Sequence, residues 1–399
     1  MEIRPILSAL LRNRTGAILV GLQIALTLAV VANAFFIIAQ RAELIARPTG
    51  IDTPNLFVLQ SYGYGPGYET EATVRADLAL LRSLPGVESA AYLAQTPLSN
   101  SGSGNAYLRS AKPGEPQVPG NYFEVDEAAI ETLGLRLVAG RNFRPEEVRV
   151  IPQTSEFPKQ VILSQAMAKA VFGDEPAVGR LIYSLDGSAA EVIGVYERMM
   201  GSWPGSTSVD PYQTLLHPVI SEMPIARYAV RTRPGERDRV MAAVEQRLGA
   251  TGTGRLITWV RPHDEIVERA YRADRRMVAF LGTLVALMTA VTALGIVGLA
   301  TFQVNARRKQ IGTRRAVGAR RADSVRYFLV ENALLAGAGA FAGAALAYGF
   351  SWWLSSTFQL PPLHPGYVAA TALGILVLAR LAVAWPARRA PAIPPAVAT

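Results

Sequence analysis

The sequence has no cysteine, only three histidines and only four lysines, and each shortage excludes a class of site. Without cysteine there is no disulfide, no thiolate nucleophile and no thiolate metal ligand. His217, His263 and His364 stand far apart, so no zinc site has its ligands at the usual spacing. His217 and His263 each stand beside a proline, which predicts that both lie in exposed loops.

The few lysines bear on nucleotide binding, because a P-loop is a glycine-rich loop that ends in Gly-Lys-Ser/Thr. The four lysines instead precede Pro113, Gln160, Ala170 and Gln310. We therefore expect these 399 residues to bind no cofactor of their own. The acidic run EVDEAAIE at 124–131 is the nearest approach to paired catalytic carboxylates, but acidic residues are favoured in the first turn of any helix. We predict that the chain is not an enzyme.

Charged residues are scarce as well, at 18% of the sequence against 50% hydrophobic residues. The apolar residues are concentrated in four runs, each long enough to cross the hydrocarbon core of a bilayer, which takes about 20 residues. These predict transmembrane helices at 17–39, 277–303, 324–356 and 367–385. The first run is longer than the apolar segment of a signal peptide and lacks a small-residue cleavage site, which favours an uncleaved anchor.

Basic residues mark the cytoplasmic side of a membrane protein. Fourteen of them, against three acidic residues, lie in or beside the predicted segments 1–16, 304–323 and 386–399. The segment 40–276 carries 26 basic and 28 acidic residues, so the formal net charge of +9 belongs to one membrane face. This distribution gives no basic footprint for nucleic acid. It predicts both termini in the cytoplasm, the segment 40–276 outside and a short outer loop at 357–366.

The outer segment mixes strand and helix patterns. NLFVLQ (55–60), QVILS (160–164), EVIGVY (191–196) and RYAVRT (227–232) predict strands, and 69–86 and 235–249 predict helices. A strand and a helix at each end indicate a split porter-like subdomain at about 50–98 and 190–275. A second subdomain is then inserted at about 105–188. The fold class is an α-helical membrane protein with four transmembrane helices and a large α+β extracytoplasmic domain between the first two.

Two glycine-rich stretches, at 98–107 and 185–191, predict the seams of this insertion. A third, YGYGPGY at 62–68, alternates tyrosine with glycine. It could present aromatic rings to a partner, or fold them onto its own domain.

Ionisable residues are costly inside a membrane and point to a function or to a special partner. Glu331 and Arg380 stand in the predicted third and fourth helices near the cytoplasmic face, where a structural pair is favoured over a proton relay. Gln23 and Asn33 can hydrogen-bond to neighbouring helices, as can three residues of the second helix, Thr283, Thr289 and Thr292. The run AGAGAFAGAALAYG at 336–349 predicts close helix packing, within one chain or between two.

The order of one span, a large outer domain and three further spans resembles the FtsX-like, MacB-type ABC permease family, also called type VII ABC transporters. The similarity is strongest in RRKQIGTRRAVGARRADSVRYFLVENALLAGAGAFAGAALA, from residue 307. The first span, SALLRNRTGAILVGLQIALTLAV, and the tail, WPARRAPAIPPAVA, are also similar to the family. NYFEVDEAAIETLGLRLVAGRNF and QVILSQAMAKAVFGDEPAVGRLI resemble its periplasmic core domain.

The resemblance implies a permease subunit in the lipid bilayer of the bacterial inner membrane. It implies that ATP and Mg²⁺ are bound by two copies of a separate cytoplasmic ATPase, and that a second permease subunit, identical or paralogous, completes the complex. Some members export drugs or peptides with a periplasmic adaptor and an outer-membrane channel. Others transport nothing, and instead sense a peptide or control a wall hydrolase or a lipoprotein chaperone.

In this family the segment after the second span docks on the ATPase. The resemblance carries that role to a set of residues between the second and third predicted helices: Arg307, Arg308, Gln310, Ile311, Arg315, Val317 and Gly318. Ile311 and Val317 would make apolar contacts, and Gly318 would let the chain turn into the third helix. Gln310 stands where the family usually has Glu, which leaves a hydrogen bond in place of a salt bridge. A simple topology signal is the alternative reading of this basic segment.

Overall fold

The structure is a computed structural model, and it describes residues 14–65, 68–151, 157–206, 209–250, 254–306, 321–358 and 361–389. The chain divides into two compact units. The helical unit comprises Met1–Ile45 and Asp274–Thr399, and the α/β unit comprises Ala46–Ala273.

The secondary structure follows the chain in this order. The α-helices of the described residues are α1 (Arg14–Ala46), α2 (Thr70–Ser83), α3 (Ala129–Leu133), α4 (Gln165–Phe172), α5 (Arg237–Gly249), α6 (His263–Ala270), α7 (Arg272–Ala306), α8 (Arg321–Phe358) and α9 (Pro365–Arg389). The strands of the same residues are β1 (Leu56–Gly63), β2 (Val87–Leu93), β3 (Ser103–Leu108), β4 (Val118–Val125), β5 (Leu137–Gly140), β6 (Arg149–Ile151), β7 (Gln160–Ser164), β8 (Leu181–Ser184), β9 (Ala189–Tyr196), β10 (Thr214–Ser221), β11 (Ile225–Thr232) and β12 (Arg255–Pro262).

The helical unit contains long apolar helices. Across the described residues, four helices are long and apolar enough to cross a membrane, with mean hydropathies from 1.6 to 2.2. Their apolar segments are Thr15–Ala46, Arg272–Ala306, Leu329–Thr357 and Pro365–Val383. The four predicted runs all fall inside the full helices α1, α7, α8 and α9. α1 and α7 continue beyond the predicted ends because a helix bonds its own backbone, so it does not stop where the apolar residues stop.

α1 is the central helix of this unit. Half of its apolar segment is buried against neighbouring helices, compared with 11% for α7. Ile24, Leu28 and Ala32 follow the helical spacing of four residues and are at most 1% exposed. One face of α1 therefore forms the core of the unit.

The α/β unit begins and ends in a split subdomain. Strands β12, β1, β11 and β2 lie side by side in that order, and β1 and β11 are antiparallel to their neighbours. Helices α2 and α5 supply apolar residues such as Leu81 and Val244 to one core with the strand residues Phe57 and Tyr228. The four predicted strands and the two predicted helices are all confirmed, and the α+β subdomain is built from both ends of this unit's chain.

The inserted subdomain has a second apolar core, which includes Val161, Leu163 and Leu215. Its strands pair in the order β4, β3, β8, β9, β7 and β10, and β10 also pairs in parallel with β4. This last pairing closes the strands into a ring, which leaves these six strands without a free edge. β6 extends from β10, and β5 pairs with β9.

The seams of the insertion differ from the predicted ones. The predicted return near 188 is a hairpin turn between β8 and β9, closed by a hydrogen bond from the amide of Ser184 to the carbonyl of Ser188. β9 and β10 pair with inserted strands, so the chain returns to the split subdomain only after Ser221. A glycine-rich turn gives the same local signal in a hairpin as at a domain crossing.

Candidate functional site

The predicted ATPase-coupling residues, Arg307, Arg308, Gln310, Ile311, Arg315, Val317 and Gly318, lie outside the described residues. The flanking helices are described: α7 ends at Ala306 and α8 begins at Arg321. Fourteen residues separate these two helices in the sequence.

The two predicted intramembrane polar residues lie in different surroundings. Glu331, on α8, is 1% exposed. Arg380, on α9, is exposed and lines a groove of about 460 Å³ together with Asn332 of α8. The structural pairing of Glu331 with Arg380 stays a prediction.

α8 packs closely against α1 at two glycines. A Cβ atom added to Gly339 would lie 2.9 Å from the carbonyl oxygen of Gly21. One added to Gly343 would lie 2.8 Å from the carbonyl oxygen of Ala25 and 2.9 Å from Cβ of Leu28. Only glycine allows the two backbones to come this close. The packing predicted from the small residues thus occurs within one chain at these positions.

α1 and α7 are joined by polar side chains within their apolar segments. The amide nitrogen Nε2 of Gln23 donates to the carbonyl oxygen of Val291 over 2.9 Å. The hydroxyls of Thr27 and Thr292 lie 2.7 Å apart in a buried hydrogen bond. Such bonds fix the rotation of one helix against the other, because an apolar surface alone does not define it.

Asn33 makes the corresponding contact to α8. Its Nδ2 donates to the carbonyl oxygen of Ala347 over 3.2 Å and to that of Ala29 in its own helix over 2.9 Å. The predicted inter-helix roles of Gln23, Asn33 and Thr292 are therefore confirmed. Thr283 and Thr289 instead donate to carbonyls four residues earlier in α7.

An ion pair joins α1 and α7 beyond their predicted transmembrane runs. Nη1 of Arg41 lies 2.9 Å from Oδ1 of Asp274, and the two side chains are 27% and 15% exposed. The sequence analysis missed this pair. Opposite charges just beyond the ends of two apolar runs would have indicated it.

The α/β unit has a related junction at Arg231 of β11. Its Nε donates to the carbonyl oxygen of Thr132 over 2.9 Å, and its Nη1 lies 2.5 Å from Oδ2 of Asp52. Asp52 belongs to the segment that leads into β1, and Thr132 to α3, which contacts β2 and β11. The Arg231 side chain therefore ties α3 to the segment that enters the unit.

A second ion pair crosses the seam between the subdomains. Nη2 of Arg82, on α2, lies 2.9 Å from Oδ2 of Asp126, which follows β4. Burial raises the pKa of Asp126 to about 7, with Glu127 adding to the shift and Arg82 opposing it. Burial outweighs the attraction of Arg82 because the carboxylate has lost nearly all of its water. The acidic run EVDEAAIE thus contributes a structural contact.

The prediction of exposed histidines is wrong for His217 and His263. His217 lies in β10, is 6% exposed and stacks on Tyr122 with ring centroids 4.8 Å apart. His263 begins α6 and is fully buried. Burial lowers the pKa of His217 to about 3 and that of His263 to about 4, so both rings are neutral. The part of the chain that the structure describes holds no group of three or more potential metal ligands.

The tyrosines of the loop at 62–68 adopt both arrangements considered above, outward-facing and folded onto the domain. Tyr62 and Tyr64 are 42% and 59% exposed. Tyr68 packs against Gly63, and burial raises the pKa of its hydroxyl. Two rings face outwards and one folds back onto the domain.

Two protein-family models match this chain. The model of the MacB-like periplasmic core domain matches residues 23–247, which is more than half of the chain. The model of the FtsX-like permease C-terminal region matches residues 282–395. The chain belongs to the FtsX-like, MacB-type permease family. The permease match contains the predicted coupling segment, and the core-domain match contains Arg231 and the Arg82–Asp126 pair.

Several curated relatives of this permease are similar over much of its length. The macrolide export ATP-binding/permease protein MacB 1/2 of Paracoccus denitrificans is 27% identical over 332 residues, which cover 80% of this chain and 46% of the relative. MacB of Chromobacterium violaceum is 28% identical over 56% of this chain and 34% of its own. A probable export ATP-binding/permease protein of Pseudomonas fluorescens is 23% identical over 92% of this chain and 55% of its own. The permease therefore spans about a third to about half of the length of these relatives.

Two solved domain structures are similar to this chain at lower identity. The periplasmic region of MacB from Actinobacillus actinomycetemcomitans is 16% identical, with a TM-score of 0.35, over 57% of this chain and 97% of that one. The extracellular domain of the noncanonic ABC-type transporter YknZ is 12% identical, with a TM-score of 0.30, over 51% of this chain and all of that one. Because these scores are low, the family assignment rests on the two family models.

Proposed function

We propose that this permease is the membrane subunit of an ABC transporter complex, with α1, α7, α8 and α9 crossing the bacterial inner membrane and the α/β unit in the periplasm. The order of the two family matches carries the proposal, since the core-domain match ends at residue 247 and the permease match begins at 282. The basic segments 1–16, 304–323 and 386–399 favour cytoplasmic termini.

ATP hydrolysis is assigned to a partner. These 399 residues contain no P-loop, so two copies of a cytoplasmic ATPase would bind ATP and Mg²⁺. A second permease subunit, identical or paralogous, would complete the membrane part. The names of the curated relatives combine ATP binding with a permease, which supports a working partnership of these two functions.

The segment between α7 and α8 is proposed as the docking site for that ATPase. Ile311 and Val317 would supply apolar contacts, Gln310 a hydrogen bond, and Gly318 the turn into α8. The nearby arginines, Arg307, Arg308 and Arg315, would anchor the segment to acidic groups of the ATPase and to lipid headgroups. Because the segment joins two candidate spans directly, an ATP-driven pull on it would move both.

Contacts inside the helical unit support transmission of that movement. α1 is joined to α7 by Gln23 and Thr27, and it packs on α8 at Gly339 and Gly343. The backbones at the glycine contacts cannot approach further, so α8 cannot shift towards α1 without displacing it. Movement that starts between α7 and α8 would therefore reach α1, whose end leads into the periplasmic unit.

Efflux of a drug, peptide or other periplasmic cargo is the transport role that we propose. Several curated relatives are named macrolide export proteins, so a macrolide is the first cargo to test. A periplasmic adaptor and an outer-membrane channel would complete the route in such a system. A complex that hydrolyses ATP and moves its periplasmic unit without moving cargo would instead act on a periplasmic partner.

The docking assignment is tested by copurification with a coexpressed candidate ABC ATPase, and by ATP hydrolysis in proteoliposomes. Ile311→Asp should lower both, because a carboxylate cannot replace an apolar contact, and Gly318→Leu should lower both by blocking the turn. Ile311→Val is the matched control and should keep both near the wild-type level. If Ile311→Asp and Gly318→Leu leave copurification and hydrolysis unchanged, the docking assignment is wrong.

Transport is tested separately by the accumulation of a radiolabelled macrolide in intact cells that express the complete complex. Lower accumulation that depends on Ile311 supports an efflux role. Normal ATP hydrolysis without a change in the accumulation of any cargo class would favour the non-transporting role.

A further inference from the structure

A cleft of about 240 Å³ lies within the α/β unit, at the ladder between β1 and β12. Its walls come from Gln60 on β1, from Trp259 and Arg261 on β12, from Arg269 on α6 and from the loop at residues 96–101. The register of the β1–β12 ladder shifts between Gln60 and Ser61. Such bulges redirect side chains and often lie beside binding sites.

The cleft carries an unbalanced positive charge. Arg227, Arg261 and Arg269 line it, and the described lining residues include no acidic side chain. Arg269 pairs with Glu265 at 2.6 Å. Arg227 donates instead to neutral groups, with 2.9 Å to Oε1 of Gln60 and a second bond to the carbonyl of Ala94.

Arg261 has a different neutral neighbour. Its guanidinium carbon lies 5.0 Å from the ring centroid of Trp259. No ion pair of the described residues includes Arg227 or Arg261. Burial lowers the pKa of Arg227, which shows that its charge has lost solvation without gaining a carboxylate in return.

The loop side of the cleft contains an unused polar atom. Thr96 is 2% exposed, and its hydroxyl has no hydrogen-bond partner among the described residues. In the same loop, Leu98 and Asn100 have positive φ angles of 61° and 57°. Their amides are held by the carbonyls of Gly201 and Ser202, at 3.1 and 2.8 Å. Side-chain-bearing residues adopt this backbone only when surrounding contacts impose it, and such positions cluster at ligand sites.

The remaining wall of the cleft is apolar. Trp259 and Ile266 stand beside the two arginines that have no acidic partner. An inorganic ion would balance the charge but leave this wall unused. A carboxylate attached to a small apolar or aromatic body would use both, because guanidinium groups bind carboxylates with two parallel hydrogen bonds and also stack on flat rings.

We propose that this cleft, defined by Gln60, Arg227, Trp259 and Arg261, binds an amphipathic organic carboxylate on the periplasmic side of the permease. The carboxylate lies between the guanidinium groups of Arg227 and Arg261, and the apolar body lies along Trp259 and Ile266. The proposed ligand binds within the α/β unit, and its binding requires no ATPase. Failure of the binding test therefore leaves the proposed permease function standing.

The test uses the full chain in lipid nanodiscs and two probes of the same shape, para-fluorophenylacetate and para-fluorophenylacetamide. Fluorine NMR line broadening measures the binding of each probe, with empty nanodiscs as the blank. The acid should bind saturably with a dissociation constant on the order of millimolar, as expected for a ligand of this size. The amide should bind at least about tenfold more weakly, because it lacks the charge that the arginines balance.

Three variants assign the binding to the cleft. Arg261→Gln should weaken the acid by about tenfold or more, while Arg261→Lys should recover part of the loss because the charge returns without the flat guanidinium. Arg109→Gln is the matched control, since Arg109 is an exposed arginine that pairs with Glu175 at the inserted subdomain. It should leave the affinity unchanged.

Several results would overturn the proposal. These are equal binding of the acid and the amide, absence of saturable acid binding at millimolar concentrations, and an equal loss of affinity in Arg261→Gln and Arg109→Gln. Displacement of the acid by equimolar inorganic phosphate would also overturn it, since the site would then select charge alone. A normal unfolding temperature for Arg261→Gln shows that a lost affinity is not a lost fold.

Discussion

The close contact between α1 and α8 gives a prediction whose size follows from two distances. A methyl group at Gly343 would lie 2.8 Å from a backbone oxygen of α1 and 2.9 Å from a Cβ atom, whereas ordinary contacts of this kind begin at 3.4 Å. Neither neighbouring atom can rotate away, so Gly343→Ala must push the helices apart by about 0.6 Å. Overpacking of this degree costs about 1–3 kcal/mol.

Gly337 and Gly349 provide matched controls on the same helix, because a Cβ atom at either position meets no atom within 4 Å. Alanine there should be neutral or stabilise the helix by up to about 1 kcal/mol. The two classes of substitution should therefore differ by about 1–4 kcal/mol, although the four side-chain changes are chemically identical.

The assay is the unfolding temperature of the purified full chain in detergent, followed by tryptophan fluorescence. For a chain of this size, each kcal/mol shifts the temperature by roughly 2 °C. Gly343→Ala and Gly339→Ala should both unfold several degrees below Gly337→Ala and Gly349→Ala. If all four variants unfold at the same temperature, the two helices do not make this contact in the folded protein.

Three further predictions concern charged and titrating groups. Burial raises the pKa of Asp126 to about 7 from its usual 3.8, so its contribution to stability is present near pH 4 and lost as pH rises through 7. Asp126→Asn should remove a fall of up to about 4 kcal/mol between pH 4 and 8 in denaturant titrations, and an unchanged slope would refute burial as the cause. For His217 the sign is opposite, because its lowered pKa of about 3 makes stability present above pH 6.5 and lost as pH falls towards 3. His217→Phe should keep the stacking and remove this acid loss, and equal acid sensitivity in both proteins would contradict the prediction. Asp274→Arg breaks the Arg41–Asp274 pair and should lower the unfolding temperature by a few degrees at most. Adding Arg41→Asp should restore the unfolding temperature, because the charges are then exchanged. A double variant no more stable than the single one would show that the two residues do not interact.

The elements predicted best from the sequence are those with a complete local signal. QVILS gives a strand with the same bounds as β7, because a short apolar run rich in branched residues is bounded by polar residues. The long apolar runs predict α1, α7, α8 and α9 from length alone. In both cases the residues that form the element also carry all the information about it.

β10 shows where local signals fail. It is buried along its whole length yet contains Pro218, which normally indicates a loop or an edge strand. Pro218 is tolerated where β10 pairs in parallel with β4, and this pairing depends on a strand almost a hundred residues earlier. The same proline led to the wrong prediction for His217. The carboxylate cleft was equally hidden, since Arg227 and Trp259 meet only after the two ends of the unit have paired.

The pairing of β1 with β12 determines how the α/β unit responds to a force applied through the chain segments that lead into β1 and away from β12. Phe57, near the start of β1, lies opposite Pro262, at the end of β12, so the chain enters and leaves this antiparallel pair at the same end. Lateral separation of the two connections would open the ladder one hydrogen bond at a time, as in unzipping. Sliding one connection along the other would load every bond of the ladder together. The same subdomain can therefore yield to one direction of motion and behave as a rigid body in the other.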